Sequence, residues 1–209
     1  VQILFQLFSK TVLGFVLFFA LLLGACSQTQ LPALHQKAKV VAFGDSLTEG
    51  YGVKKGEDYP SVLGELTGLQ VINEGVSGET SAQGLERMPK VLELHQPDLV
   101  ILLEGGNDVL RKIPLEKTKA NLAAMIGLIQ DSGASVLLVG MPEKKLFGGT
   151  LPLYEELAEQ YRVPLLDDVI GSLLMRASMK SDYVHFNEKG YAVLAEEIYF
   201  ALQEYGALE

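Results

Sequence analysis

The sequence predicts a three-layer α/β/α domain around a central five-stranded parallel sheet. Short apolar runs such as Val40-Val41-Ala42-Phe43 alternate with longer stretches whose apolar residues recur at helical spacing. Strands without a polar face belong to sheets covered on both sides, and helical crossovers between them make those sheets parallel. A second observation agrees. Ser46, Gly78 and Asn107 follow the first three predicted strands, on the rim where open parallel sheets form their sites.

The elements follow in order. Residues 40–43 form the first strand. Tyr59-Pro60 opens a helix with Val62, Leu63 and Leu66 on one face and Gly68 as its stop. Val71-Ile72 is a short second strand, and residues 81–95 a helix carrying Leu85, Met88, Leu92 and Leu94. Residues 98–103, apolar from Leu99 onward, have the pattern of a central strand. Residues 115–130 read as a helix, with Leu122, Met125, Ile126 and Ile129 in phase and Gly133 ending it. Strands at 135–139 and 163–166 flank a helix at 151–161, and a last helix at 188–205 repeats Tyr191, Leu194, Ala195, Ile198 and Leu202 on one stripe.

The amino-terminal part differs. Residues 12–23 are an apolar run of about a dozen residues after Lys10, short for a membrane span. The run ends in Leu23-Gly24-Ala25-Cys26-Ser27, which resembles a bacterial lipoprotein signal. That resemblance implies removal of residues 1–25, lipidation of Cys26 and a place on the periplasmic side of a bacterial cell envelope. An uncleaved amino-terminal anchor is the alternative. Residues 26–37 are polar, contain Pro32 and read as a tether, leaving residues 38–209 as the catalytic domain. Cys26 is the only cysteine, so no internal disulfide can form.

A net charge of −9 argues against nucleic-acid binding, which needs a basic footprint. The three histidines are scattered and the body has no thiol, so neither a metal nor another cofactor is expected. Residues 44–50 fit neither glycine pattern of a nucleotide-binding loop. A monomer with a small-molecule partner is the expected state.

The chemistry resides in Ser46, at the end of the first strand, and in Asp182-Tyr183-Val184-His185. A serine hydroxyl is a poor nucleophile at neutral pH. An imidazole can take its proton during attack, and a carboxylate can orient the imidazole and stabilise its cation. Ser77 lacks the glycine spacing of a nucleophile elbow and reads as a turn residue. His95 reads as a helix cap or a solvent-facing residue, and His35 lies in the tether. Asp45 and Asp108 read as loop-holding residues.

Four segments occur in order: Gly44-Asp45-Ser46-Leu47, Gly75-Val76-Ser77-Gly78, Gly105-Gly106-Asn107-Asp108 and Asp182-x-x-His185. From Lys39 onward the chain resembles the SGNH (GDSL) hydrolase family. Ser77-Gly78-Glu79-Thr80-Ser81, His95-Gln96-Pro97 and Gly106-Asn107-Asp108-x-Leu110-Arg111 are similar to its multifunctional thioesterase, lysophospholipase and arylesterase branch.

The resemblance implies a flavodoxin-like sheet, with Ser46 as nucleophile, His185 as general base and Asp182 as its orienting acid. It also implies an oxyanion hole made by the backbone N–H groups of Ser46 and Gly78 with the Asn107 side chain. The loop of residues 109–114, with Leu110 and Ile113, would contact the acyl chain. Phe186 departs from the family pattern and is expected to alter packing at the site mouth. Glu104 also departs, and is expected to face away from the oxyanion hole. The implied reaction is hydrolysis of carboxyl esters, with thioesters possible, through an acyl-serine intermediate. Lysophospholipids and aryl esters are candidate substrates, and O-acetyl removal from sugars or cell-wall polymers is the alternative.

Overall fold

The computed structural model describes residues 29–143 and 149–209. The apolar run and Cys26 lie outside the described residues. Among the described residues, no helix is long and apolar enough to cross a membrane.

The strands are β1 (Lys39–Gly44), β2 (Gln70–Gly75), β3 (Leu99–Leu103), β4 (Ser135–Val139) and β5 (Leu165–Leu166). They form one sheet in the order β2-β1-β3-β4-β5, with every pairing parallel. The central β3 is buried along its whole length, as its unbroken apolar run requires. β2 is an edge strand, and its half-exposed side chains let it continue through Asn73, Glu74 and Gly75, beyond the Val71-Ile72 predicted. β5 is only two residues long, shorter than the predicted 163–166.

Helices α1 (Ser46–Glu49), α2 (Tyr59–Thr67), α3 (Ser81–His95), α4 (Gly106–Leu110), α5 (Leu115–Asp131), α6 (Pro152–Tyr161), α7 (Val169–Leu174) and α8 (Glu188–Glu204) complete the fold, with a 3₁₀ turn at Ala177–Met179. α2 packs on α8, and α8 on α7; on the other face α3 packs on α5, and α5 on α6. Helix starts follow their caps. Asp58 accepts from the Ser61 N–H at 3.0 Å before α2, and Asn187 accepts from the Gly190 N–H at 3.0 Å before α8.

The tether of residues 26–37 is packed rather than loose from Leu31 onward. Leu31 is buried, its N–H donates to the Tyr205 carbonyl at 2.8 Å, and the Leu34 N–H donates to the Ala207 carbonyl at 2.9 Å. An apolar residue at every third position is too sparse a pattern to mark such a segment.

Two glycines let α1 sit against the carboxyl ends of the strands. A Cβ on Gly44 would fall 2.2 Å from the Leu103 carbonyl oxygen, and one on Gly75 2.0 Å from the Glu49 backbone nitrogen. Neither neighbour is a side chain that could swing aside. Gly75→Ala is therefore expected to push α1 outward and cost about 1–3 kcal/mol, read as a lower urea midpoint with unchanged slope.

Candidate active site

The turn after β1 and the turn before α8 meet. His185 Nε2 lies 3.0 Å from Ser46 Oγ, and His185 Nδ1 lies 2.8 Å from Asp182 Oδ2. Local structure explains each position. Asp182 Oδ1 accepts from the backbone N–H groups of Val184 and His185 at 2.8 and 2.9 Å, so the carboxylate shapes the turn that carries the imidazole. The turn is closed by an antiparallel bridge between Lys180 and Phe186. Burial raises the Asp182 pKa, but hydrogen bonds from the His185 ring and from the Val184 and His185 backbones outweigh it and hold the carboxyl below its ordinary value. The Tyr51 ring lies 4.4 Å from the His185 ring, tilted by 36°.

Ser46, Gly78, Asn107 and His185 line one cavity of about 600 Å³. Gly78 has φ +77°, a backbone turn that glycine adopts without strain. Arg111 holds the two loops together: its backbone N–H donates to the Asn107 carbonyl at 2.9 Å and its Nη2 to the Gly78 carbonyl at 2.7 Å. Leu110 lines the cavity, whereas Ile113 is not among the described wall residues. Ile113 follows the end of α4, where its N–H bonds the Asp108 carbonyl at 2.9 Å. Met141, Pro142, Leu174 and Met175 complete the wall. These four belong to loops and a short helix that no periodicity marks.

Asp45 has a role that sequence reasoning understated. Its Oδ1 accepts from the Leu47 N–H at 3.0 Å, the loop-holding bond, but its Oδ2 also accepts from Asn107 Nδ2 at 3.2 Å. That second bond leaves the other amide hydrogen of Asn107 free to donate elsewhere. Burial pushes the Asp45 pKa up to about 6, partly offset by the Leu47 N–H and by His185. Asp108 accepts from the Ser81 N–H and Oγ at 2.8 and 2.5 Å and from Thr118 Oγ1 at 3.0 Å.

Glu104 stays out of the cavity wall but turns into the protein interior. Burial, then the nearby carboxylates of Asp45 and Glu79, hold its carboxyl well above the ordinary range. Oε2 accepts from the Gly105 N–H at 3.0 Å, while Oε1 is buried with no donor within reach. Glu79 is held in turn by Arg87 Nε at 2.7 Å. His95 neither caps its helix nor faces solvent: its Nε2 lies 2.6 Å from Glu74 Oε1. Phe186 is fully buried, 5.5 Å edge-on from Tyr191, and supports the His185 turn from beneath instead of shaping the mouth. Ser77 is a turn residue bonded to Glu49. Among the described residues no cluster of His, Cys, Asp and Glu could hold a metal ion.

The model of the GDSL-like lipase/acylhydrolase family matches residues 42–193. The chain belongs to this family. An arylesterase of Vibrio mimicus is 33% identical over 92% of this chain and 96% of its own length. Thioesterase 1/protease 1/lysophospholipase L1 of Escherichia coli is 29% identical, covering 75% of this chain and 79% of its own. The crystal structure of AlinE4, an SGNH-hydrolase family esterase, superposes with a TM-score of 0.64 at 31% identity, covering 82% of this chain and 98% of that one. Like these relatives, this GDSL-family chain is a serine hydrolase of carboxylic esters.

Asp45→Asn separates the site from the fold. The asparagine still accepts from Leu47 but turns an amide NH₂ toward that of Asn107, which must flip. The expected kcat falls about 100-fold with KM little changed, in ester kinetics at pH 7–8. Stability moves the other way. The folded Asp45 carboxyl keeps its proton up to about pH 6, against 3.8 for an ordinary aspartate, so its contribution to stability falls as pH rises through that window. The loss is on the order of 3 kcal/mol. Denaturation of the variant across pH 4–7 should lack that fall.

Proposed function

We propose that Ser46 attacks the acyl carbon while His185 Nε2 takes its proton, and that Asp182 holds the ring with Nδ1–H toward the carboxylate. The continuous Asp182–His185–Ser46 hydrogen-bond chain at the mouth of an apolar cavity carries this reading. The backbone N–H groups of Ser46 and Gly78 and the Asn107 amide donate to the oxyanion. His185 returns its proton to the leaving oxygen or sulfur, which departs from the tetrahedral intermediate as the acyl-serine forms. Water, deprotonated by His185, then attacks the acyl-serine; the bond from the acyl carbon to Ser46 Oγ breaks, Oγ takes the proton back from His185, and the acid is released.

Val109, Leu110, Met141, Leu174 and Met175 give the cavity an aliphatic wall suited to an acyl chain longer than acetyl. The wall favours medium-chain acyl and aryl esters, lysophospholipids among them, over O-acetyl groups. The arylesterase and thioesterase/lysophospholipase relatives support aryl esters and lysophospholipids as substrates. Lipidation of Cys26 at the periplasmic side of the envelope completes the reading, supported by the apolar run and the Gly24-Ala25-Cys26 end of residues 12–26.

Three measurements test it. Ser46→Ala should lower kcat on p-nitrophenyl esters by about 10⁴-fold or more with unchanged thermal midpoint; retained turnover removes Ser46 from its role. Leu174→Trp should cut octanoyl ester hydrolysis about 10-fold or more while acetyl ester hydrolysis holds within a few-fold, since lost chain contacts scale with methylenes. Cys26→Ser should move the protein from the membrane to the soluble fraction.

A further inference from the structure

The catalytic rim and the entry point of the chain lie at opposite ends of the sheet. Ser46, Gly78 and Asn107 follow the carboxyl ends of β1, β2 and β3. The segment leading into β1 crosses the other end. Leu31 and Leu34 pair with Tyr205 and Ala207 beyond the carboxyl end of α8, and Pro32, Leu34 and His35 border a second cavity with Leu92, Asp98 and Ser135, where β3 and β4 begin. The Lys39 N–H donates to Asp98 Oδ2 at 2.8 Å as the chain turns upward. Burial of Leu31 and these backbone bonds make the entry point a fixed part of the domain.

Chain length then sets orientation. From Cys26 to Leu31 are five residues, which span at most about 18 Å when fully extended. A domain of this size is roughly 40 Å across, taking the radius of gyration expected of a compact chain. A lipid on Cys26 cannot hold the domain with its catalytic mouth against the bilayer, because the leash would have to run the full height of the domain. An uncleaved apolar run ending at Leu23 lengthens the leash to about 28 Å, which is still too short.

We propose that the anchored enzyme opens its catalytic mouth away from the bilayer that holds it, and that its substrates are acyl esters arriving dissolved in the aqueous compartment. Lipids embedded in the anchoring leaflet are not its substrates. The inference rests on the envelope-anchoring reading and narrows its substrate class.

The test uses the full chain reconstituted in phosphatidylcholine vesicles. The first probe is a fluorogenic octanoyl ester whose phenol is joined to a dialkyl lipid, so it cannot leave the bilayer; the second is soluble p-nitrophenyl butyrate. A variant carries a Gly/Ser insert of about 20 residues between Gln28 and Thr29, which when extended spans about 70 Å, past the height of the domain. The expected result is that anchored protein cleaves the embedded probe no faster than unanchored Cys26→Ser protein. The insert should raise that rate about 10-fold or more through effective concentration, while all three cleave p-nitrophenyl butyrate equally. Fast cleavage of the embedded probe by the anchored wild type, or no gain from the insert, overturns the orientation. Wild type that fails to float with the vesicles overturns the anchoring reading and the orientation together, while Ser46-dependent hydrolysis of the soluble ester stands apart from both.

Discussion

A buried carboxylate ties the turn after β1 to the loop that carries Asn107. Asp45 bonds the Leu47 backbone on one side and the Asn107 amide on the other, joining the ends of β1 and β3 directly beneath Ser46. Ionised Asp45 in this place is costly, as its raised pKa records. The fold tolerates that cost because an ionised acceptor dictates which way an amide points, and a neutral one does not. Ser46 and Asn107 therefore face the cavity in a geometry set before substrate enters.

A polar layer under the rim keeps this carboxylate supplied with neighbours. Burial and its carboxylate neighbours hold the Glu104 carboxyl above its ordinary range, and Arg87 spreads its charge over Glu79, Glu74 and the carbonyl of Glu74 while lying 3.8 Å from the centre of the Phe43 ring. One guanidinium thus serves two carboxylates with several hydrogen bonds, the condition under which buried charge is bearable. Glu79 directly follows Gly78, so this layer also fixes the loop that carries the glycine N–H. On the far side Asp108, next to Asn107, is held by Ser81 and Thr118. The loops of Gly78 and Asn107 are thus each braced by the residue that follows.

Much of this was legible in the sequence, for reasons that differ by element. The bounds of α3 are those predicted and α5 is one residue longer, because their apolar stripes run for several turns. α1, α4 and α7 left no trace, since four to six residues are too few to show a period. Ser46 stood out in one short motif, and Asp182 with His185 in another. Asp45 to Asn107 and Glu74 to His95 are single contacts between residues 62 and 21 apart, and no local pattern encodes such a pairing. Phe186 and Ile113 were misplaced for a related reason: the side a loop residue faces depends on the partner it meets, not on its spacing.

The hydrogen bond between Ser46 and His185 spans 139 residues, and α8, which follows His185, docks on α2 near the start of the domain. A ribosome delivers the amino end first, at about 5–20 residues per second. At that rate the residues between Ser46 and His185 take roughly 7–28 s to emerge. Through that interval Ser46 stands without the imidazole that lies beside it in the folded domain. Hydrolytic power arrives with the closing segment of the fold, which makes turnover a report that the whole domain has closed.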